Sequence, residues 1–193
     1  MSLTLELPGT ANGRKRWSRT EFEFLETACL LKGRYELLDG EIITKMGQNR
    51  RHARVLSLLL AYLAAAFGAE RVQSQATMEV REDDRILNRP EPDAAVLRED
   101  IDRNASGEDV LLAVEVSDTT QADDYGHKVA LYARAGITEY WVLDLNRRLL
   151  TAFRRPQEGE WLVRDDYAEG DTVSPLSAPQ SVILVSELLP PLA

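Results

Sequence analysis

The chain has 193 residues, and 23 Lys and Arg against 32 Asp and Glu give a net charge of −9 at pH 7. This length is typical of one domain, and a hydrophobic content of 44% is ordinary for a globular protein. A single cysteine excludes an internal disulfide and a cysteine-based metal cluster. The most apolar stretch, residues 55–67, is too short to span a bilayer, so we expect a cytoplasmic protein with no membrane partner.

The first 50 residues contain three local signals. Residues 1–17 lack an element pattern, and we expect a flexible arm there, followed by a single domain over residues 18–193. Ser18 and Glu21 have the spacing of a capping box, which predicts a helix that runs to about Leu31 and buries Cys29. Asp39-Gly40 is a strong turn dipeptide and predicts a hairpin over residues 35–46.

The rest of the chain alternates between helix and strand patterns. An apolar stripe at helical spacing predicts a helix over residues 51–67, which ends at Gly68. Residues 110–116 are apolar except for Glu115, so we expect a central strand that is covered on both faces. The other predicted elements are strands at 72–80, 92–97 and 139–145, a helix over 123–135, a hairpin over 149–167 and a last strand near 182–185. This order is typical of an α/β fold with a mixed β-sheet flanked by helices and extra β-hairpins.

Two carboxylates stand where a purely structural sequence would avoid them. Glu115 interrupts the apolar run, and an unpaired buried carboxylate costs several kcal/mol. Asp93 begins the preceding strand, and an antiparallel pairing of Leu97 with Leu111 would set it opposite Glu115. Two such charges about 4 Å apart repel by about 4 kcal/mol at an effective dielectric constant near 20. Either one carboxylate is protonated, or a cation such as Mg²⁺ or Mn²⁺ lies between them.

The helix that follows Glu115 carries a candidate cation of its own. Asp124 and Lys128 are spaced i, i+4, and Tyr132 lies one turn further along the same face. A short connection separates this helix from the strand, so Lys128 could point toward the carboxylates. The alternative is an Asp–Lys pair on the protein surface.

These residues together resemble the Uma-two family of restriction-endonuclease-like proteins, within the PD-(D/E)xK nuclease superfamily. The resemblance covers residues 18–185, and its strength lies in the order and spacing of the whole set. The matching features are the hairpin residues 35–41, His52, Pro92-Asp93, residues 114–117, Asp124, Lys128, Tyr132, Gly136 and residues 139–141.

The resemblance implies a restriction-endonuclease-like core and a role for each site residue. Asp93, Glu115 and Lys128 would be catalytic, and the two carboxylates would bind Mg²⁺ or Mn²⁺. The superfamily lysine two residues after the glutamate is absent, since that position is Ser117, and Lys128 would replace it from the following helix. It would position the attacking water or stabilise charge on the phosphate.

A further acidic metal ligand of the family would be Glu41 or Glu36 in the hairpin, and we favour Glu41. His52 would support the site together with Asp124 and Tyr132; the alternative for His52 is a bond to a nearby backbone group. Candidate phosphate contacts cluster around this histidine, and salt-bridged surface residues are their alternative. They are Arg50, Arg51 and Arg54.

The sequence therefore predicts a Mg²⁺-dependent endonuclease whose substrate is DNA. The alternative is a catalytically inactive nuclease fold that binds protein or nucleic acid. The acidic net charge and the displaced lysine favour that alternative. A homodimer is compatible with both.

Overall fold

The computed structural model describes residues 15–45, 49–118 and 124–190. A central six-stranded sheet has the strand order β3-β4-β5-β6-β7-β8. The strands are β1 Arg34–Leu38, β2 Glu41–Lys45, β3 Val72–Ser74, β4 Ala94–Leu97, β5 Val110–Ser117, β6 Glu139–Asp144, β7 Leu149–Gln157, β8 Glu160–Ala168, β9 Thr172–Val173 and β10 Ile183–Leu184. The helices are α1 Arg19–Thr27, α2 Arg50–Phe67, α3 Glu82–Arg85, α4 His127–Ala135 and α5 Val185–Leu188.

The sheet is mixed, as the sequence predicts. Strands β5 and β6 are parallel, and every other neighbouring pair in the sheet is antiparallel. All residues of β5 are buried, which confirms that this strand is central and covered on both faces. The chain between β5 and β6 contains α4, so this helix begins beside the end of the strand that carries Glu115.

Each face of the sheet packs against a different helix. On one face, Val114 and Val116 of β5 contact the α2 stripe in a single apolar cluster. On the other face, Ala113 packs with α4 and the β1–β2 hairpin in a second cluster. Because side chains alternate along a strand, Glu115 projects into this second cluster, toward α4.

Gly107 fixes the position of α4 against the sheet. A Cβ at this position would lie 2.2 Å from the backbone oxygen of Ala135, the last residue of α4. Only glycine permits so close an approach of the two backbones. The end of α4 is thereby held against the loop that enters β5.

The pairing of β4 with β5 agrees with the predicted register except at one residue. Ala94 pairs with Val114 and Val96 with Leu112, but Leu97 pairs with Val110. The predicted Leu97–Leu111 pairing is wrong because a register shift falls there. The register of the other residues places Asp93 next to Glu115 across the two strands.

Three predicted elements differ from the structure. Helix α1 has the predicted capping box but ends at Thr27, and Cys29 is exposed with a φ of +55°, so its predicted burial is wrong. The strand expected over 72–80 ends at Ser74. The segment just before β4, which would pair with the continuation of this strand, contains Pro90 and Pro92, and these have no N–H to donate. The polar run Glu82-Asp83-Asp84-Arg85 predicts a turn by its composition, and it forms the short helix α3 instead.

Some expectations fall outside the described residues. These are residues 1–14 of the predicted arm, Met46 at the end of the predicted hairpin and Asp123 at the start of the predicted helix. Within the arm, Trp17 is described, and its backbone N–H donates to the Gly40 carbonyl over 2.7 Å. No helix of the described ranges is both long enough and apolar enough to cross a membrane.

Candidate active site

Asp93 and Glu115 lie side by side where β4 begins and β5 ends. The backbone N–H of Val116, the residue after Glu115, donates to Asp93 Oδ2 over 2.9 Å. Asp93 is 5% exposed and Glu115 is 2% exposed. The structure thus brings together the two carboxylates that the sequence singled out, on the edge where both strands reach the loops.

Lys128 lies among three carboxylates inside the protein. Its Nζ is 2.9 Å from Glu115 Oε1, 3.0 Å from Glu36 Oε1 and 3.6 Å from Asp124 Oδ1. Its side chain is only 2% exposed. The alternative of a surface Asp–Lys pair is therefore wrong, and Lys128 points from α4 toward Glu115.

Tyr132 extends this network by one helical turn. Its hydroxyl donates to Glu115 Oε1 over 3.1 Å, so this oxygen accepts bonds from both Tyr132 and Lys128. The Tyr132 ring packs edge-on against Tyr140, with centroids 5.0 Å apart. The hydroxyl of Tyr140 in turn donates to the Asp124 carbonyl over 2.9 Å. Two aromatic side chains thus fix the orientation of Glu115 and the start of the α4 region.

The hairpin contributes Glu36 to this cluster. Glu36 is 3% exposed, whereas Glu41 is exposed at the first position of β2. The pairs Glu36–Ile43 and Leu38–Glu41 put both glutamates on the same hairpin face. One two-residue step, about 7 Å along the strand, therefore separates their positions. The hairpin glutamate that contacts Lys128 is Glu36, whereas Glu41 is exposed.

Asp93 has two basic neighbours. His52 Nε2 lies 3.2 Å from Asp93 Oδ2, and Lys45 Nζ lies 3.7 Å from Asp93 Oδ1. The Asn49 side chain caps α2 by accepting from the His52 N–H over 2.8 Å, which fixes the first turn of this helix. The His52 ring therefore bonds to a carboxylate instead of the expected alternative, a backbone group.

The other ring nitrogen of His52 has no partner. His52 Nδ1 is buried and makes no hydrogen bond within the described structure, and the same holds for Ser117 Oγ. If His52 is neutral, the bond to Asp93 places its proton on Nε2 and leaves Nδ1 as an acceptor. His52 is a residue of the predicted site, and Ser117 stands at the position of the superfamily lysine. Buried polar atoms normally have a partner, so both atoms are candidates to bind a ligand or water.

The two central carboxylates differ in how readily they ionise. Burial raises the pKa of Glu115 to about 8, against the lowering effect of the Lys128 and Lys45 ammonium groups; Asp93 and Asp124 raise it further. Burial also opposes ionisation of Asp93, but the bond from His52 and the charge of Lys45 outweigh it and hold the pKa of Asp93 well below its ordinary value.

The cation of the cluster is held firmly in its charged form. Burial lowers the pKa of Lys128, but the charges of Glu115, Glu36 and Asp124 outweigh that effect and raise it above the ordinary value. One ammonium thus faces three carboxyl groups, and the cluster has an excess of negative charge.

The first turn of α2 presents three arginines with different surroundings. Arg51 donates to the Leu145 carbonyl and to Asn146 Oδ1, and it lies 3.7 Å from Asp118. Arg50 and Arg54 are exposed and have no ion-pair partner in the part of the chain that the structure describes. The salt-bridged alternative therefore holds for Arg51, whereas Arg50 and Arg54 stay available to an anion.

Comparisons with known proteins identify the family of the chain. A family model, Uma2, described as "Putative restriction endonuclease", matches residues 22–186. The chain belongs to the Uma2 family. No curated protein matches this Uma2 chain.

A solved structure shares the fold of this Uma2 chain. It is described as a "putative nuclease belonging to DUF820" from Anabaena variabilis, and the two chains are 13% identical with a TM-score of 0.61. The match covers 85% of the Uma2 chain and 96% of the Anabaena chain. The family and the fold together support a nuclease, and they confirm the predicted restriction-endonuclease-like architecture.

The donor set of the Uma2 site fits a magnesium ion better than a zinc ion. Within the described ranges, no three His, Cys, Asp or Glu side chains converge closely enough to hold an ion on their own. Mg²⁺ keeps several waters and is commonly held by one or two carboxylates. Asp93 and Glu115 offer hard oxygen ligands, and the negative excess around them would be reduced by a divalent cation.

Sequence reasoning missed Lys45 as a site residue. This lysine ends β2 and lies beside Asp93, which is 48 positions further along the chain. The sequence contains only four lysines, which was the one available indication. In the structure two of them, Lys45 and Lys128, lie within 4 Å of a site carboxylate.

Proposed function

We propose that this protein is a divalent-metal-dependent endonuclease that hydrolyses phosphodiester bonds of DNA. The observation that carries the proposal is the juxtaposition of Asp93 and Glu115, two buried carboxylates at the ends of adjacent strands. Lys128 pairs with Glu115, and His52 and Lys45 adjoin Asp93, so each carboxylate is held in place by basic groups. Both lie in a fold shared with a protein described as a "putative nuclease".

In this proposal Asp93 and Glu115 hold Mg²⁺ or Mn²⁺. When bound, the ion polarises the scissile phosphate and lowers the pKa of a coordinated water. Lys128 and Tyr132 orient Glu115, and the His52 Nε2–H orients Asp93. Arg50 and Arg54 contact phosphates next to the scissile one. Their positive charges offset the repulsion between an acidic protein and DNA at this place.

The reaction consumes one water for each bond that is cut. A bond forms between the water oxygen and phosphorus, and the ester bond from phosphorus to the sugar oxygen breaks. The attacking water loses a proton to the surrounding solvent, and the leaving sugar oxygen takes up a proton. The products are one strand end with a phosphate and one with a hydroxyl.

A plasmid-nicking assay at low salt, with Mg²⁺ or Mn²⁺, tests the proposal. Glu115→Gln and Asp93→Asn should abolish cleavage, because each removes a charged ligand. Glu160→Gln is the matched control, since Glu160 is exposed on β8 at the far edge of the sheet, and it should cut like the wild type. Absence of cleavage by the wild type on double-stranded and single-stranded DNA would overturn the proposal, as would equal cleavage by Glu115→Gln.

A second candidate function is a nuclease fold that binds nucleic acid or protein without cutting. Ser117 at the position of the superfamily lysine favours it, as does the absence of a three-residue metal cluster among the described residues. Calorimetry with Mn²⁺ separates the two functions. An endonuclease binds the ion, and Glu115→Gln weakens the binding. A binding module shows no such heat.

A further inference from the structure

Two lysines adjoin the candidate site, and they differ in what their ammonium groups can reach. Lys128 comes from α4 and lies within 3.6 Å of three carboxylates. Lys45 comes from the end of β2 and lies near Asp93. The following inference concerns which of the two contacts the substrate, and it rests on the proposed endonuclease function.

Lys128 is kept from a substrate by its burial and its ion pairs. Its ammonium lies 2.9 Å from Glu115 and 3.0 Å from Glu36, and Asp124 is 3.6 Å away. Its side chain is 2% exposed, and the side chains of all three carboxylates are at most 4% exposed. To contact a phosphate, Lys128 would have to leave buried carboxylates unpaired, which is strongly unfavourable.

Lys45 is placed differently. Its side chain is 14% exposed, as is that of His52, against 2% for the side chain of Lys128. The Lys45 ammonium donates to the Glu91 carbonyl, and its distance of 3.7 Å from Asp93 Oδ1 is too long for a hydrogen bond. The described contacts therefore leave donors of Lys45 available, and its charge also acts on Glu115.

We infer that Lys45 is the lysine that contacts the scissile phosphate, and that Lys128 is a buried counter-ion that positions Glu115. The Lys45 ammonium donates to a non-bridging phosphate oxygen, where negative charge increases in the transition state. It takes no proton from the attacking water. The positively charged lysine of the nuclease site thus comes from the hairpin.

The first test compares steady-state cleavage by Lys45→Met, Lys45→Arg and the wild type. Lys45→Met should lower kcat about 100-fold or more, and Lys45→Arg should retain part of the rate because it keeps the charge. The melting temperature should stay near that of the wild type. Mn²⁺ should bind as tightly or more tightly, since a positive charge next to Asp93 has been removed. Lys32→Met is the matched control, because Lys32 is exposed in the segment before β1.

The second test restores the amine chemically. Cys29 is the only cysteine and is exposed, so Lys45→Cys is made in a Cys29→Ser background and treated with 2-bromoethylamine. The sulfur of the introduced cysteine forms a bond to carbon as bromide leaves and the thiol proton is lost, which creates a side chain of lysine length. Cleavage should return in this variant, and the treated Cys29→Ser protein should be unchanged.

The outcomes separate the inference from the proposed function. If the wild type does not cleave DNA, the function fails and the inference fails with it. If the wild type cleaves and Lys45→Met keeps a kcat within about threefold, the inference alone is overturned. A loss of both kcat and Mn²⁺ affinity in Lys45→Met would also overturn it, since Lys45 would then only hold Asp93 in place.

Discussion

Lys128 Nζ lies 2.9 Å from Glu115 Oε1, and the side chains of both residues are at most 3% exposed. Glu36 and Asp124 approach the same ammonium, so the ion pair is part of a cluster with excess negative charge. Such a cluster opposes folding, because each buried charge loses its hydration. Groups selected for function commonly carry this cost in stability. The fold favours the neutral form of Glu115 but the ionised form of Asp93. Neutral substitutions of the two residues should therefore change stability in opposite directions.

We expect Glu115→Gln to raise the unfolding free energy of the metal-free protein by about 1–2 kcal/mol at pH 7. The raised pKa of Glu115 means that folding opposes its ionisation, and the neutral amide removes this cost. Burial favours the neutral carboxyl of Glu115, and an amide is neutral while its oxygen still accepts from Lys128 and Tyr132. Urea unfolding in EDTA measures the change, with Glu160→Gln as the control. A lower unfolding free energy for Glu115→Gln would show that the Lys128 pair stabilises the fold on balance.

Asp93→Asn should have the opposite sign and lower the unfolding free energy by about 1–3 kcal/mol. The ionised form of Asp93 is favoured in the fold, because His52, Lys45 and the Val116 N–H all face it. The neutral amide weakens all of these interactions. The same urea titration in EDTA measures the effect, and equal stability of the variant and the wild type would contradict it.

The stability of the wild type should also depend on pH through Glu115. The pKa of this group rises from 4.5 to about 8 on folding, so the unfolded chain releases the proton first as the pH increases. Between pH 4.5 and 8, Glu115 therefore makes the unfolding free energy fall as the pH rises. The stability advantage of Glu115→Gln should grow across this window and vanish below it. A difference that is constant from pH 4 to 8 would refute the assignment.

The strand patterns of the sequence were sufficient to predict how Asp93 and Glu115 meet. The apolar run fixes β5 as a central strand, and the antiparallel pairing of β4 brings the two carboxylates together. The i, i+4 spacing of Asp124 and Lys128 also predicted a shared direction, which the structure confirms through their 3.6 Å ion pair. These relationships depend on local periodicity, which a sequence contains.

Relationships between distant elements were not predictable in the same way. The choice between Glu36 and Glu41 depends on where the hairpin rests on the sheet, because both residues lie on one hairpin face. The position of Lys45 beside Asp93 depends on the same docking. Cys29 is exposed because the helix ends before it, and local propensity places helix ends only to within a few residues.

Replacement of Lys128 by Met should destabilise the protein by about 3–5 kcal/mol, because it leaves three carboxylates buried without their cation. Lys32→Met removes the same charge from an exposed site and should change the unfolding free energy by less than about 0.5 kcal/mol. Urea unfolding compares the two. If Lys128→Met is too unstable to purify, the double variant Lys128→Met/Glu115→Gln should recover part of the loss, and no recovery would contradict the role of Lys128 as counter-ion to Glu115.

A divalent cation should stabilise the wild type through the same carboxylates. At ten times its dissociation constant, a ligand that binds only the folded state adds about 1.4 kcal/mol, which corresponds to a melting temperature about 3–6 °C higher for a chain of this size. Scanning calorimetry with increasing Mn²⁺ measures the shift, and Ca²⁺ tests whether ion size matters. Glu115→Gln should reduce the shift although it is more stable without metal, because the group that opposes folding is the group that holds the ion. An equal Mn²⁺ shift in the wild type and in Glu115→Gln would place the ion elsewhere on this acidic protein.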